Sequence, residues 1–596
     1  MSNKLYIILF KVIIISSLVA FVYSCANPVI PTGGPKDIQP PIEVEAEPAN
    51  YSTKFDEKSV RIWFNEFIEL KDIQNQLLVS PPLKENPNIV TRGKSILIKM
   101  EDTLLENTTY TFFMGDAIVD ITEKNPLKNF QYVISTGDHI DSLEVEGNLN
   151  DAFTKQAQAD VMVMLYRNIA DSTPMKERPV YVAKTDKQGK FKFRNLAGGG
   201  YKIFALVDAN SNYLYDLPNE QIAFLTDTIF PFTPKKKPVI DTISSDSVYN
   251  DSIAIDSLQN SGASIINDSI PPDSLTIESN VPIKNKSIEL LLFVPADTVQ
   301  QIADSKSYKK RNIRIYFKQP TDTVELNILD KKGDFQFINF EWNSRRDSLT
   351  AWMEHFDSDS LSLEIKDNHL VLDTLVFTYF DEESKKEIDT TKVEKLIINS
   401  NTKNTIEINQ KFLLEFNHPL KHHYDSLFQF IVNSDTSNIA IIAADSSARR
   451  FTINRKWKSQ GNYQLLIPDS AFQDVYGLYN DSTMFKFKAR NIEDYTSILL
   501  NFETEYDSTN HIIQLLNDKD VIIREYLVKG NKQLNFEYLQ VKKYRLRAII
   551  DTNANGKWDS GDYSKKKQAE AVLYYKSTIE TRANWEIEQD WKINKP

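Results

Sequence analysis

The chain has 596 residues, a net charge of −12 at pH 7, 41% hydrophobic residues and 11% aromatic residues. This length predicts about four domains, or more if they are small β modules. The acidic balance argues against a nucleic-acid partner, because phosphate binding requires clustered Lys and Arg. Seven His and one Cys leave little material for His/Cys metal centres or for thiol chemistry.

The N-terminal segment is typical of an exported protein. Lys4 precedes an almost wholly apolar run from Leu5 to Val22, and Ser24 precedes Cys25, the only cysteine. A basic start, an apolar core and a small residue before the break predict a signal peptide in residues 1–24. The alternative is an uncleaved anchor, for which the apolar run is short.

The residues around Cys25 resemble the lipobox of bacterial lipoproteins, with Val22 and Ser24 before the cysteine. The resemblance implies cleavage before Cys25, acylation of that residue and attachment to the membrane through the lipid. Bacteroidetes lipoproteins exported to the surface carry an acidic run after the cysteine. No such run follows here, which favours the periplasmic face of the outer membrane. The Pro-rich residues 25–41 predict an extended tether.

The first folded region, residues 42–138, is predicted to be all β. Residues 60–64 and 95–99 alternate between apolar and polar side chains, and residues 107–113 are rich in β-branched and aromatic types. The turn signals between these segments are typical of a sandwich of short strands.

Three strings in this region resemble the bacterial Ig-like domain of S-layer proteins and many Bacteroidetes lipoproteins. They are residues 64–67 (FNEF), 80–82 (SPP) and 110–120 (YTFFMGDAIVD). The resemblance places Asp116, Asp120 and Asn125 in a structured loop before the last strand. We interpret these side chains as caps of nearby backbone N–H groups rather than as ligands.

Residues 140–225 form a second module. Gly189, Phe191, Phe193 and Leu196 follow the pattern Gly-x-Phe-x-Phe-x-x-Leu, and a Gly-x-Tyr string ends at Tyr201. This pattern resembles the transthyretin-like fold of carboxypeptidase regulatory domains and collagen-adhesin repeats. The resemblance implies a β-sandwich without catalysis of its own.

A polar, Asp/Ser-rich stretch occupies residues 234–287. Such a segment buries too little apolar area to offset the cost of ordering, so it predicts a disordered linker. Seven Asp-[Ser/Thr]-aliphatic units in and near it resemble the O-glycosylation sequon of exported Bacteroidetes proteins; the alternative is a biased spacer. The hydroxyls that would carry glycans are Thr228, Thr242, Ser247, Ser252, Ser257, Ser269 and Ser274.

The remaining chain predicts a third sandwich in residues 288–395, a second Ig-like domain in 403–491 and a second transthyretin-like domain in 494–591. The duplication rests on residues 544–551, which repeat the pattern of 201–208 in the same register. The predicted fold class is therefore all-β, with tandem Ig-like and transthyretin-like sandwiches joined by a disordered linker.

Residues 551–562 resemble an EF-hand loop, with Gly556 at the sharp turn. The oxygen ligands would be Asp551, Asn553, Asn555, Asp559 and Asp562. Against this, position 12 is Asp rather than a bidentate Glu, and a strand precedes the loop. The alternative is a strand-to-strand loop held by Asx turns. We expect no cofactor, with calcium as the one option.

No nucleophile elbow, P-loop or zinc-protease motif is present, so we expect no enzyme activity. His418, His422 and His423 are interpreted as solvated loop residues. The leading hypothesis is an outer-membrane lipoprotein that acts as a scaffold for envelope proteins. The alternative is a carbohydrate- or peptidoglycan-binding module, with or without calcium, which predicts a row of exposed aromatics on one sandwich face.

Overall fold

The structure, a computed structural model, describes residues 36–234, 288–297, 299–308, 311–329, 336–354, 358, 360–379, 395–437 and 439–595. The predicted signal peptide, Cys25 and the predicted linker from residue 235 onward lie outside the described residues. The described chain is almost entirely β, which confirms the predicted fold class. It divides into unit 1 (Met1–Leu149, Ala157–Asp216, Ala223–Leu290) and unit 2 (Asn150–Gln156, Leu217–Ile222, Leu291–Pro596).

The first sandwich of unit 1 contains three small sheets, with strand orders β1-β2-β6-β5, β4-β7-β9 and β3-β8. Along β7 the side chains of Tyr110, Phe112 and Met114 are buried and alternate with half-exposed neighbours, as a strand with one core face requires. A helical turn, α1 (Ile73–Gln76), joins β3 to β4. The strands are β1 (Glu43–Glu47), β2 (Ser59–Phe64), β3 (Ile68–Leu70), β4 (Leu78–Ser80), β5 (Asn88–Arg92), β6 (Ser95–Lys99), β7 (Thr109–Gly115), β8 (Ile118–Asp120) and β9 (Phe130–Ser135).

The second sandwich has sheets ordered β13-β10-β16 and β12-β11-β14-β15. Phe191 and Phe193 on β13 are both buried, as their alternation predicted. A second helical turn, α2 (Thr173–Lys176), follows β11. The strands are β10 (Leu143–Asp151), β11 (Met162–Tyr166), β12 (Tyr181–Lys184), β13 (Lys190–Leu196), β14 (Lys202–Val207), β15 (Gln221–Phe224) and β16 (Ile288–Leu292).

Strand β16 differs from the expectation that Ile288 opens the third sandwich. It joins the sheet that contains β10 and β13. Gly147 on β10 allows this approach, because a Cβ at that position would lie 2.3 Å from the Ile288 carbonyl oxygen and 2.6 Å from the Phe191 ring. A side chain at residue 147 would therefore separate these strands.

The third sandwich, in unit 2, has sheets β17-β18-β21-β20 and β19-β22-β23. Its core contains Ile313, Ile315, Leu363 and Ile365, which are fully buried. The strands are β17 (Ile302–Tyr308), β18 (Asn312–Phe317), β19 (Val324–Ile328), β20 (Phe337–Trp342), β21 (Ser348–Met353), β22 (Ser360–Asp367) and β23 (Leu370–Thr378).

The next sandwich has sheets β24-β26-β31-β30, β25-β34-β32-β28-β29 and β27-β33. A 3-10 turn, Asp425–Leu427, precedes β28. The strands are β24 (Ile398–Ser400), β25 (Thr405–Ile406), β26 (Phe412–Phe416), β27 (Leu420–His423), β28 (Gln429–Val432), β29 (Asp435–Ser437), β30 (Ile441–Ala443), β31 (Arg450–Ile453), β32 (Asn462–Ile467), β33 (Phe472–Asp474) and β34 (Thr483–Ala489).

The last sandwich has sheets β38-β35-β42 and β37-β36-β39-β40, with β41 paired to β39. Two 3-10 turns, Ile492–Asp494 and Tyr563–Lys565, lie outside the sheets. The strands are β35 (Tyr495–Thr504), β36 (Asn510–Leu516), β37 (Ile522–Lys529), β38 (Lys532–Gln540), β39 (Lys543–Asp551), β40 (Val572–Tyr574), β41 (Ile579–Glu580) and β42 (Glu586–Ile593).

The strand orders repeat. In both the second and the last sandwich, the fourth, first and final strands form one sheet, while the third, second, fifth and sixth form the other. The first and fourth sandwiches likewise share a four-stranded sheet, a partner sheet (three strands in the first, five in the fourth) and a two-stranded ribbon. This correspondence supports the duplication that the sequence repeat predicted.

Candidate functional site

The loop after β39 is organised by Asp551, which is 1% exposed. Its two carboxylate oxygens accept hydrogen bonds from the backbone N–H groups of Asn555 at 3.1 Å and Gly556 at 2.9 Å. Gly556 has φ 77°, a left-handed conformation that favours glycine. The carboxylate therefore closes a tight turn with bonds that span at most five residues.

The far side of the loop is organised by Asp559. One oxygen of Asp559 accepts a hydrogen bond from the Asn555 side-chain amide at 3.0 Å and another from the Asn553 amide. The carbonyl oxygens of these amides accept backbone N–H groups at 3.2 and 2.9 Å. Four of the five predicted calcium ligands are thus brought together in one hydrogen-bonded ring.

Glu570 is a residue of this loop that the sequence analysis missed. It is 4% exposed. One oxygen accepts hydrogen bonds from the N–H and the hydroxyl of Thr552, both at 2.7 Å, and the other accepts the N–H of Asp559 at 3.1 Å. No sequence signal pointed to Glu570, because it lies beyond the motif and approaches the loop only through the fold.

The fifth predicted ligand, Asp562, makes a different set of contacts. It caps the 3-10 turn Tyr563–Lys565, and its carboxylate bonds to the Ser564 hydroxyl and, at 2.8 Å, to the Lys565 ammonium group. The hydrogen bond and charge of Lys565, together with Ser564, lower the pKa of Asp562 to about 2. Its role in the structure is that of a turn cap.

The loop after β14 has the same hydrogen bonds. Asp208 accepts the N–H groups of Asn212 at 3.3 Å and Tyr213 at 2.7 Å. Asp216 accepts the side-chain amides of Asn210 at 3.2 Å and Asn212 at 2.8 Å. The two loops are therefore equivalent in geometry, although a tyrosine stands where the second copy has Gly556.

The side chains that could hold a metal in the second loop are Asp551, Asn553, Asn555 and Asp559. They supply two carboxylates and two amides, whereas Ca²⁺ takes six to eight oxygens. Within the described ranges, no group of three or more His, Cys, Asp or Glu side chains is arranged to hold a metal ion. These four side chains supply only some of the oxygen ligands that calcium requires. Their polar groups are already hydrogen-bonded to one another and to the backbone.

The Ig-like loops also consist of capped turns. Asp120 accepts the backbone N–H groups of Glu123 at 2.6 Å, Lys124 at 3.0 Å and Asn125 at 2.8 Å. Burial alone would raise the pKa of Asp120, but these donors outweigh it and hold the pKa below its usual range. The contacts of Asp120 are those expected of a capping residue. In the second copy, Asp474 caps the N–H groups of Tyr476 and Leu478.

The prediction of a solvated histidine cluster is wrong for His418. This residue is 8% exposed, its Nδ1 lies 2.8 Å from a carboxylate oxygen of Asp474, and its Nε2 lies 3.1 Å from Arg311. Arg311 belongs to the third sandwich and Asp474 to the next one. His418 is therefore part of a domain junction, whereas His422 is exposed.

Other polar contacts fix the junctions of unit 2. Arg449 lies 2.7 Å from Glu341 across the same junction, with both side chains 14% exposed. At the following junction, the hydroxyl of Tyr495 donates to Glu407 at 2.6 Å, and Arg490 lies 3.1 Å from the same carboxylate. Three consecutive sandwiches are thus joined through partly buried charged groups.

The predicted modification sites fall mostly outside the described residues. These are Cys25, Thr242, Ser247, Ser252, Ser257, Ser269 and Ser274. Thr228 is described: it is half-buried, and its methyl group lies close to Gly200. It precedes the isolated bridge between Ile229 and Tyr201.

Residues 37–136 match the family described as Bacterial Ig-like domain. The chain therefore carries a bacterial Ig-like domain, as its sequence strings predicted, and this match covers the first sandwich. No curated protein matches the chain.

Several solved structures are similar to the chain at low identity. The major pilin subunit of Bacillus cereus is 9% identical over 76% of this chain and 100% of its own, with a TM-score of 0.14. The S-layer protein SbsC is 8% identical over 87% of this chain and 66% of its own, with a TM-score of 0.13. The Bacillus anthracis TIE protein is 9% identical over 94% and 76%, also with a TM-score of 0.13. These scores carry no argument about function.

No helix within the described ranges is long and apolar enough to cross a membrane.

Proposed function

We propose that the chain is a non-enzymatic envelope lipoprotein that acts as a structural scaffold and docking surface for other envelope proteins. A lipid on Cys25 holds it on the periplasmic face of the outer membrane. The second and last sandwiches are transthyretin-like modules. The lipobox-like residues and the bacterial Ig-like domain support this proposal.

The observation that carries the scaffold function is the construction of the junctions in unit 2. Burying charged groups costs free energy, and that cost is offset only when both partners meet in good geometry. Arg449 with Glu341, and Glu407 with Tyr495, meet only when adjacent sandwiches are docked in one orientation, and Arg490 balances the Glu407 charge from within the same sandwich. A chain that fixes the orientation of successive domains suits a spacer.

The alternative, a carbohydrate-binding module, predicted a row of exposed aromatic side chains on one face. In the described part of the chain, the exposed aromatics are instead distributed over all five sandwiches and the segments that flank them. They are Tyr51, Phe67, Phe230, Tyr308, Phe340, Tyr424, Tyr479, Tyr538 and Trp585. This distribution favours the scaffold.

We also propose O-glycans on the seven Asp-[Ser/Thr]-aliphatic units. Their support is the repeated sequence pattern, and the half-exposed position of Thr228 leaves its hydroxyl near the surface. Mass spectrometry of the purified chain tests this: glycopeptides from the segment are expected, and unmodified peptides alone would contradict it.

The anchored scaffold is tested by photo-crosslinking in cells, comparing the natural chain with Cys25→Ser. We expect the natural chain to incorporate a fatty-acid label, to fractionate with the outer membrane and to give discrete crosslinks to envelope proteins. Cys25→Ser should lose the label and those crosslinks. Identical fractionation and crosslinks for both chains would refute the lipid anchor, and an absence of crosslinks for the natural chain would refute the scaffold.

A further inference from the structure

A cavity of about 260 Å³ lies within unit 2, where the third sandwich meets the one that follows it. Its floor is the outer face of the sheet β17-β18-β21-β20, represented by Arg314, Tyr316 and Thr350. Arg450, at the start of β31, supplies a wall from the next sandwich. The third sandwich supplies all the other lining residues, and docking of the next sandwich adds the wall at Arg450.

Three arginines line this cavity, and two of them are already paired. Arg450 lies 2.7 Å from Asp445 and 3.4 Å from Glu341, and Arg345 lies 3.0 Å from Asp347. These pairs neutralise most of the charge around the cavity.

Arg314 is the third arginine. Its Nε donates a hydrogen bond to the Thr350 hydroxyl at 3.1 Å, which orients the guanidinium group. Among the described residues, no carboxylate lies within ion-pair distance of Arg314. Its guanidinium group also lies 5.9 Å from the centroid of the Tyr308 ring. Since a half-buried guanidinium group gains most from an anionic partner, this residue leaves the cavity with a positive charge that no described carboxylate matches.

Besides the paired Glu341 and Asp347 carboxylates, the remaining lining groups are the Asn343 amide, hydroxyls and aromatic rings. Ser348 and Tyr316 bring hydroxyl groups, and Trp342 and Tyr316 bring ring surface. A volume of about 260 Å³ is just below the range of roughly 300–1,000 Å³ typical of ligand pockets, so it suits a single ring-sized group. Guanidinium, hydroxyl and ring surface together match a sugar ring that carries a carboxylate.

We infer that this junction cavity binds an acidic sugar of the uronic-acid class, with Arg314 as the partner of the sugar carboxylate. Hydroxyls of the sugar would meet Ser348 and Tyr316. Because Arg450 belongs to a different sandwich from Arg314, the bound sugar would also contact both sides of the junction. This inference goes beyond the scaffold function and does not depend on it.

Calorimetric titration of the purified full chain with D-glucuronate, with D-glucose and acetate as reference ligands, tests the inference. We expect glucuronate to bind more tightly than either reference. Arg314→Gln is expected to weaken glucuronate binding at least about tenfold, since it removes the carboxylate partner. Arg346→Gln is the matched control, because it removes a neighbouring arginine that does not line the cavity.

Arg345→Gln is a second variant for the case that Arg314→Gln fails to fold. The Arg345 side chain is 78% exposed, so its replacement should leave the fold intact. Removing that side chain leaves the Asp347 carboxylate at the cavity with the Asn343 amide as donor but without its ion-pair partner, so binding is expected to weaken about threefold. The inference is overturned if the natural chain does not bind glucuronate, if acetate binds equally well, or if Arg314→Gln and Arg346→Gln behave alike. Envelope crosslinks should be unchanged in Arg314→Gln, so failure here is separable from failure of the scaffold.

Discussion

The loops after β14 and β39 have the same hydrogen bonds in different surroundings. Asp208 and Asp551 each accept two backbone N–H groups, and Asp216 and Asp559 each accept two asparagine amides. Yet Asp208 is only half-buried, whereas Asp551 is 1% exposed. Local side-chain hydrogen bonds therefore define the conformation of each loop. The neighbouring elements determine how much stability the loop contributes to its sandwich.

The surroundings of the second loop come largely from distant residues. Phe153, in the short segment Asn150–Gln156 of unit 2, packs against Trp558 with ring centroids 4.9 Å apart. The guanidinium group of Arg547 lies 4.4 Å from the Phe153 ring centroid. With Glu570, these groups exclude water from one side of the loop.

The largest effect is expected from removing the buried carboxylate. Asp551→Ala leaves two backbone N–H groups without their acceptor in a dry environment, which should cost about 3 kcal/mol of local stability. The matched change Asp208→Ala should cost about 1 kcal/mol, because water can replace the acceptor. Hydrogen exchange of peptides that cover residues 551–570 and 208–220 measures both losses of stability. Equal losses would show that the greater burial of Asp551 does not increase its contribution.

The next largest effect concerns the pH dependence of stability, and it is confined to the last sandwich. His511 on β36 is fully buried beside the Phe502 ring, and burial lowers its pKa below the usual 6.5. Above pH 6.5 both folded and unfolded states hold this histidine neutral. As pH falls below 6.5, the unfolded state gains the proton more readily than the folded state, so stability declines.

Strand pairing shows that Val161 of the second sandwich occupies the position that His511 occupies in the last sandwich. Met162 pairs with Leu206, and Ile512 pairs with Ile549 at the equivalent position. We expect the natural chain to lose last-sandwich stability between pH 7 and 5.5, by at most about 1 kcal/mol, and His511→Val to abolish that loss. Calorimetry at the two pH values measures it; an unchanged pH dependence in His511→Val would assign the acid sensitivity to another group.

A smaller effect is expected at the turn residue. Gly556 has φ 77°, and its added Cβ would meet only Leu527 at an ordinary 3.7 Å. Gly556→Ala should therefore cost about 1 kcal/mol through backbone strain alone, and Gly556→Asn less, because asparagine tolerates this conformation. Hydrogen exchange of peptides that cover residues 551–570, followed in urea, measures both. If alanine and asparagine are equally destabilising, the cause is steric rather than conformational.

Calcium should have the smallest effect. The oxygens of Asp551 already accept backbone N–H groups, and Asp562 is bonded to Lys565. We expect millimolar Ca²⁺ to shift the thermal transition of the last sandwich by less than about 2 °C. A shift above about 5 °C that Asp559→Asn removes would instead make the second loop a calcium site.

Much of the fold could be predicted from the sequence because its signals are local. The alternation of Tyr110, Phe112 and Met114 was sufficient to predict strand β7 and its buried face. The repeated Tyr, Ala, Asp and Asn positions predicted equivalent loops. Tyr213 adopts φ 65° and keeps the turn of the first loop without a glycine.

Contacts between distant residues could not be predicted. His418 is polar and stands near two other histidines, so sequence alone suggested a solvated loop. Its burial depends on Arg311 and on Trp352, whose ring centroid lies 6.1 Å away. Glu570 resembles many other acids of the chain until the fold brings it to Thr552 and Asp559.

From local sequence signals one can predict the all-β class, the bacterial Ig-like domain, the duplicated modules and the loop turns closed by Asp208 and Asp551. These features depend on strand periodicity and on hydrogen bonds between residues at most five positions apart. Three features became visible only in the folded structure: β16 joins the sheet of β10, His418 seals a junction, and Arg314 lines a cavity with no described carboxylate within ion-pair distance. Each of these depends on which distant surfaces exclude water together, and no local pattern of residues encodes that.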